Sequence, residues 1–215
     1  MQSEHHRRIR LGALVLGLSA LLLTVFPLIR PFFPLDVFAP ERTLAAASPA
    51  FASVPWVLSH FLAMLGFVLL LGGMLALYAF HAGAPAESRA FRGLVWGLAG
   101  VALVLPALGV EAYAMPIIGK VYLAGASGLA PVIPLTYRGP MTVVLLLGLL
   151  FLAVGVFNFA FAIRRGGQLP AWAGFVFAIG LALWLPLLPR PVRIADGLLI
   201  GLGGIPLAWS MWRKA

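Results

Sequence analysis

Long apolar runs, separated by shorter segments rich in charged residues, proline or small residues, dominate the sequence. A helix needs about 20 mostly apolar residues to cross the roughly 30 Å hydrocarbon core of a membrane. Six runs meet this requirement, and they cover residues 11–30, 55–80, 93–117, 140–163, 172–188 and 194–212. The pattern predicts an all-α fold, an integral membrane bundle of about six transmembrane helices.

The first run follows a basic segment, HHRRIR, and precedes the small-residue run AAASPAFAS. This combination also occurs in cleavable signal peptides, but the apolar stretch is long for one. We therefore expect the run to form the first transmembrane helix. Together the six runs predict a single transmembrane helical domain over residues 1–215.

The composition is also typical of an integral membrane protein. Hydrophobic residues make up 62% of the chain, charged residues make up 10%, and the mean hydropathy is +1.05. A chain of 215 residues cannot bury so much apolar surface in a water-soluble core. The chain has no cysteine, which excludes disulfides and thiolate metal sites.

Basic residues predict how the chain is oriented. The net charge is +9, but the 15 basic residues are scattered among the ends of the apolar runs, which indicates membrane lipids as partners and argues against nucleic acid. With the N-terminus in the cytoplasm, nine lie on the inner side: Arg7, Arg8, Arg10, Arg89, Arg92, Arg164, Arg165, Arg213 and Lys214. Six lie on the outer side: Arg30, Arg42, Lys120, Arg138, Arg190 and Arg193. The excess predicts that both termini are cytoplasmic (N-in/C-in).

The two long segments on the predicted outer side, 31–54 and 118–139, are rich in aromatic residues, proline and alanine. Segments of this kind are expected to lie on the bundle or at the membrane interface. A site in the bundle is therefore expected to be covered from the outer side.

Glu111 is the carboxylate that the pattern singles out, because it lies near the end of the third apolar run. At 1.5 Å per residue it lies roughly 27 Å above the start of that run, near the outer boundary of the hydrocarbon. The stripe below it consists of Ala107, Val104, Gly100 and Gly97. Such small-residue stripes mark close helix contacts, so Glu111 is expected to point into the bundle. Pro106 predicts a kink one turn below it.

His60 is the natural partner of Glu111, because it lies about one and a half turns into the second run and at a similar depth. Asp196, at the start of the sixth run, reaches the same level. Depth alone does not place these groups side by side. We predict a ligand-binding site with Glu111 and His60 as polar anchors and with Tyr113 and Asp196 in support.

Three interpretations of this group stay open. Glu111 and His60 could form an interhelical hydrogen bond that only locks the bundle. They could instead form a polar site for a lipid headgroup, a quinone or a small solute, since ionisable groups inside a membrane are costly and often functional. A metal or catalytic centre is the third interpretation, but one His, one Glu and one Asp are few ligands for zinc or iron. We predict no metal site and no catalytic residue.

Other chemistries lack their sequence signatures. A haem held by two histidines needs both inside the membrane, whereas His5, His6 and His81 lie at or beyond helix ends. The motifs of zinc metalloproteases, nucleotide-binding loops and serine hydrolases do not occur. The sequence therefore specifies no cofactor.

Three segments carry a resemblance to a known group of proteins. They are PWVLSHFLAMLGFVLLLGGMLALY, GVEAYAMPII and VRIADGLLIGLGGIPLAWSMWR. Across most of its length the chain resembles small integral membrane proteins of Chloroflexota, actinobacteria and related bacteria, a group with no assigned activity. The resemblance implies a six-helix-like bundle in a bacterial cytoplasmic (inner) membrane, and it implies no catalytic residues.

The leading functional hypothesis is a non-enzymatic membrane protein. It would bind a lipid-like or small amphipathic ligand at the outer polar site, or act as an accessory subunit beside other membrane subunits or a second copy of itself. One alternative is a small transporter or channel in which Glu111 carries a proton or binds a cation. The other is an intramembrane enzyme that uses His60 and Glu111 as base and acid.

Overall fold

The computed structural model describes residues 2–33, 35–36, 38–185 and 188–215. Within them the regular structure is helical. The α-helices are Gln2–Ile29 (α1), Pro40–Phe51 (α2), Val54–His81 (α3), Glu87–Gly109 (α4), Met115–Leu123 (α5), Val132–Tyr137 (α6), Pro140–Gly166 (α7), Ala171–Ala182 (α8) and Arg190–Lys214 (α9). A π-helical turn, Val110–Ala114, joins α4 to α5, and a 3₁₀ turn, Ser127–Leu129, precedes α6. The predicted all-α bundle is confirmed.

Among the described residues, five helical segments are long and apolar enough to span a membrane, namely Glu4–Ile29, Val54–His81, Glu87–Leu123, Val132–Gly166 and Arg190–Lys214. The run predicted at 172–188 forms only the 12-residue α8, which at 1.5 Å per residue is about 18 Å long. Prolines at positions 186 and 189 follow it in the sequence, and a proline disfavours helix at the residue before it. The described chain thus has five long apolar helices and one short one in place of six long runs.

α8 still carries the chain from one end of the bundle toward the other. Just before α8, the backbone carbonyl of Gln168 accepts a hydrogen bond from Lys214 Nζ. Just after α8, Trp184 lies 5.5 Å from Phe26, ring centre to ring centre, near the opposite end of α1. Both ends of the chain therefore lie at one end of the bundle, which we call the terminal end, as the predicted topology requires. The opposite end is called the cap end.

α4 and α7 approach each other closely through glycines. A Cβ atom on Gly100 would lie 2.7 Å from the Cα of Leu152, and one on Gly155 would lie 2.7 Å from the Cα of Gly97. Small residues permit this approach in a membrane, where packing rather than the hydrophobic effect drives helix association. The small stripe on α4 thus faces its neighbours, and Glu111 above it is buried.

The segments 31–54 and 118–139 fold over the cap end. There α2, α5 and α6 pack around a second apolar cluster, which consists of Leu44, Ala47, Phe51, Trp56, Met115 and Ile133. The main core lies below it, between α1, α3, α4, α7, α8 and α9. The cap covers the level at which Glu111 and His60 lie, as the sequence suggested.

Candidate functional site

The π-helical turn places the Glu111 side chain. Such turns insert an extra residue into a helix and are frequent at functional sites. Trp56 Nε1 donates a 2.7 Å hydrogen bond to the backbone carbonyl of Glu111. This bond gives the buried carbonyl a hydrogen-bond partner. The turn separates Glu111, which is buried, from Tyr113, which is 55% exposed.

The Glu111 carboxylate lies between a tyrosine and a histidine. Tyr137 donates a 2.9 Å hydrogen bond to Glu111 Oε1. Glu111 Oε2 lies 3.9 Å from His60 Nε2, and within the described residues it accepts no hydrogen bond. The structure therefore brings the two predicted anchors together without a direct hydrogen bond between them.

The backbone fixes how His60 presents its ring. Nδ1 lies 2.7 Å from the carbonyl oxygen of Trp56, which can only accept, so Nδ1 carries a proton. In a neutral imidazole Nε2 then has a lone pair, and this lone pair faces Glu111 Oε2. Two acceptors in this position need a proton on one of them or a donor between them, such as a water or a ligand group.

Two arginines that the sequence predicts on the outer side of the membrane are buried inside the bundle at the cap end. Arg193 is 1% exposed and Arg30 is 9% exposed. The Arg193 guanidinium lies 5.3 Å from the ring centre of Phe26 and 5.5 Å from that of Trp184, and Arg30 lies 4.5 Å from the ring of Trp56. These cation–π contacts hold the guanidinium groups while their N–H edges stay free to bind.

The buried arginines have few hydrogen-bond partners. Arg193 Nε, Nη1 and Nη2 and Arg30 Nε are buried without a partner among the described residues. Burial lowers the pKa of the Arg30 guanidinium, while the negative charge of Glu111 opposes this shift. An arginine nevertheless stays protonated in proteins. Arg30 therefore brings a positive charge to the site.

The two supporting residues behave differently. Asp196 is fully buried close to Arg193, but no cation of the described chain lies within 4.0 Å of its carboxylate, and neither oxygen accepts a hydrogen bond there. Tyr113 packs edge-on against Phe61 at 5.4 Å on the outside of the bundle. The structure thus does not bring Tyr113 into the site with Glu111 and His60, because residues two apart on a helix point to opposite sides.

A cavity connects the polar groups. Phe26, Arg30, His60, Ala107, Leu108, Glu111, Tyr137, Met141, Thr142, Leu145, Leu146, Trp184 and Arg193 line it. Its enclosed volume is about 40 Å³. One buried water needs roughly 10–15 Å³ on this scale. The enclosed volume therefore has room for a few waters or one small polar group.

The short α8 explains the apolar side of the cavity. Lower in the bundle, Gly174 of α8 packs against Ala160 and Ile163 of α7. Residues spaced by three or four positions share a helix face, so this face of α7 continues upward to Leu146 and Thr142. α8 ends at Ala182, below that level. The part of α7 above the end of α8 then forms a wall of the cavity, where Leu146 is 43% exposed and Leu145 is buried.

The described residues contain no group of three or more His, Cys, Asp and Glu side chains that could hold a metal ion. His60 and Glu111 alone are too few ligands for a zinc or iron site. The metal interpretation therefore has no support in the described geometry.

Sequence reasoning missed Arg30, Arg193, Tyr137 and Trp184. The available signal was the position of Arg193 on α9, three residues before Asp196 and four before Gly197, where a close helix contact is expected. Comparisons of the chain with protein-family models, with curated proteins and with solved structures found no match.

Proposed function

We propose that this protein binds a lipid-like or small amphipathic molecule from the membrane, with the polar head in the Glu111 cavity and the apolar part along the α7 wall of the cavity. The observation that supports it is the convergence of buried polar atoms, which lack a partner among the described residues, on a cavity whose other wall is apolar. Unsatisfied polar groups are costly inside a membrane, and a bound ligand would satisfy them.

The lining agrees with such a ligand. Pockets for small molecules combine an apolar lining with a few polar groups. The cavity wall has this composition, with Arg30, Glu111 and Arg193 among mostly apolar residues. Its narrow polar end suits a small headgroup, and the wider side faces Met141, Leu145 and Leu146 of α7.

A variant that fills the cavity tests the proposal. Thr142 is half-buried and lines the cavity, whereas Thr136 is half-buried nearby and does not. Native mass spectrometry of protein extracted gently from its own membrane should show a stoichiometric bound mass in the wild type and in Thr136→Phe, and its loss in Thr142→Phe. A bare wild-type chain, or equal masses in both variants, would contradict ligand binding in this cavity.

A proton- or cation-coupled transporter is the second candidate, because His60 Nε2 and Glu111 Oε2 face each other across 3.9 Å and could share a proton. Against it, the described core between the cavity and the terminal end is built from buried apolar residues, among them Val101, Val104 and Leu152. Flux into proteoliposomes that depends on Glu111 would support transport. Flux that survives Glu111→Gln, or no flux at all, would remove this candidate.

We further propose that the protein resides in a bacterial cytoplasmic membrane with both termini in the cytoplasm. Of the six basic residues at the cap end, Arg30 and Arg193 are buried, which leaves four at the surface against nine at the terminal end. Basic residues favour the cytoplasmic side. A reporter enzyme that is active only in the cytoplasm should be active when it is fused to the C-terminus. Activity only of a reporter that requires the outer side of the membrane would contradict the proposed topology.

A further inference from the structure

We propose that the head of this ligand is an anion, a carboxylate or a phosphate, held by Arg193 and Arg30. This inference rests on the proposed function and adds the chemical class of the ligand. It follows from which polar atoms on the cavity wall lack a partner among the described residues, from their charges and from the helix ends beside the cavity.

Free donors outnumber free acceptors on the wall. Five buried nitrogen atoms that carry hydrogen lack a partner among the described residues: Arg193 Nε, Nη1 and Nη2, Arg30 Nε and Trp184 Nε1. The unpartnered acceptors on the wall are Glu111 Oε2 and the lone pair of His60 Nε2. A ligand that satisfies most of these unpartnered atoms must accept hydrogen bonds. Ionised carboxylates and phosphates are strong acceptors without donors.

Charge leads to the same class. The cavity wall carries the guanidinium groups of Arg30 and Arg193 and the single carboxylate of Glu111. Asp196 is buried near Arg193 but does not line the cavity. Among the described residues no carboxylate, Asp196 included, lies within 4.0 Å of either guanidinium, and a buried charge without a close partner is strongly unfavourable.

Two helices also begin at this cavity. Met141 and Thr142, in the first turn of α7, line it, and so does Arg193, in the first turn of α9. The N-terminal end of a helix carries a partial positive charge that favours anions. The helix ends add to the free guanidinium edges, which are the independent evidence for a ligand.

Aromatic rings hold both guanidinium groups in place. Arg193 lies against the rings of Phe26 and Trp184, and Arg30 lies against Trp56. A planar guanidinium that is fixed by its faces presents its edge, and this edge matches two oxygens of a carboxylate or phosphate. A lysine would supply the charge without this geometry.

The experiment compares four amphiphiles with the same chain: hexadecanoate, hexadecyl phosphate, hexadecanol and hexadecylamine. Binding to the purified full chain in a non-ionic detergent is measured by native mass spectrometry and by thermal stabilisation, at a pH that keeps the acid and the amine ionised. The two anions should bind on the order of 10- to 100-fold more tightly than the alcohol and the amine. Acetate and inorganic phosphate, added alone, should bind weakly.

Substitutions test whether the two arginines cause the preference for anions. Arg193→Gln and Arg30→Gln should each abolish the preference for the anions. Arg190→Gln is the matched control, because Arg190 is exposed at the same helix end and does not line the cavity. If Arg193→Gln fails to fold, Arg193→Lys and Arg30→Gln replace it. Glu111→Gln removes the one carboxylate on the wall and should leave anion binding unchanged or tighter.

The outcomes separate the two proposals. Equal binding of all four amphiphiles, a preference for the amine, or loss of anion binding in Glu111→Gln would overturn the anion inference and leave the proposed function standing. Tight binding of acetate or phosphate alone would support the anion site and overturn the amphipathic ligand. No binding of any probe would overturn both.

Discussion

At the scale of single residues, the site is defined by polar atoms that face each other without a bond. His60 commits its Nδ1 proton to the Trp56 carbonyl, which leaves the lone pair of Nε2 opposite Glu111 Oε2. Tyr137 already donates a hydrogen bond to Glu111 Oε1. The remaining contact therefore needs a proton or a bridging donor, and substitutions at Glu111 can reveal this need.

We expect Glu111→Gln to lower the stability of the bundle less than Glu111→Ala does. The glutamine amide can accept from Tyr137 and donate to His60 Nε2, whereas alanine leaves both side chains unpaired. The loss for alanine relative to glutamine should be about 1–3 kcal/mol, measured by unfolding in detergent. Equal losses of stability in the two variants would contradict the need for a donor between residue 111 and His60 Nε2.

At the scale of helices, two local features make the site possible. Glu111 lies in the π-helical turn that follows α4, and α8 ends below the part of α7 that lines the cavity. The close contact of α4 with α7 fixes the opposite wall, to which Ala107 and Leu108 belong. The position of Glu111 thus depends on the α4–α7 contact below it.

This dependence predicts a strong effect of a single methyl group. Gly100→Ala would place a Cβ 2.7 Å from the Cα of Leu152, a backbone atom that cannot move alone. Gly109→Ala is the matched control, because a Cβ there meets nothing within 4 Å. Overpacking should cost Gly100→Ala about 1–3 kcal/mol, while Gly109→Ala should be neutral. Equal thermal stability of the two variants would contradict the close contact.

At the scale of the whole molecule, the sequence predicts class and depth better than contacts. The apolar runs give the helical bundle, and residue counting gives the common depth of His60 and Glu111. Depth does not say in which direction a side chain points around the helix axis, so the burial of Arg30 and Arg193 could not be predicted. The opposite directions of Glu111 and Tyr113 follow from their spacing of two residues on a helix. The short α8 could be expected from the prolines at 186 and 189, whereas its apolar composition alone predicts a full span.

The central claim is that a ligand head completes the polar groups around the cavity, and an experimental structure of the protein extracted in mild detergent tests it most directly. The account predicts density for a non-protein group within hydrogen-bond distance of Arg193, continuing along α7 toward Leu146. A structure in which Arg193 pairs directly with Asp196 and only waters fill the cavity would contradict it. In that case the buried charges hold the bundle together and the cavity has no ligand.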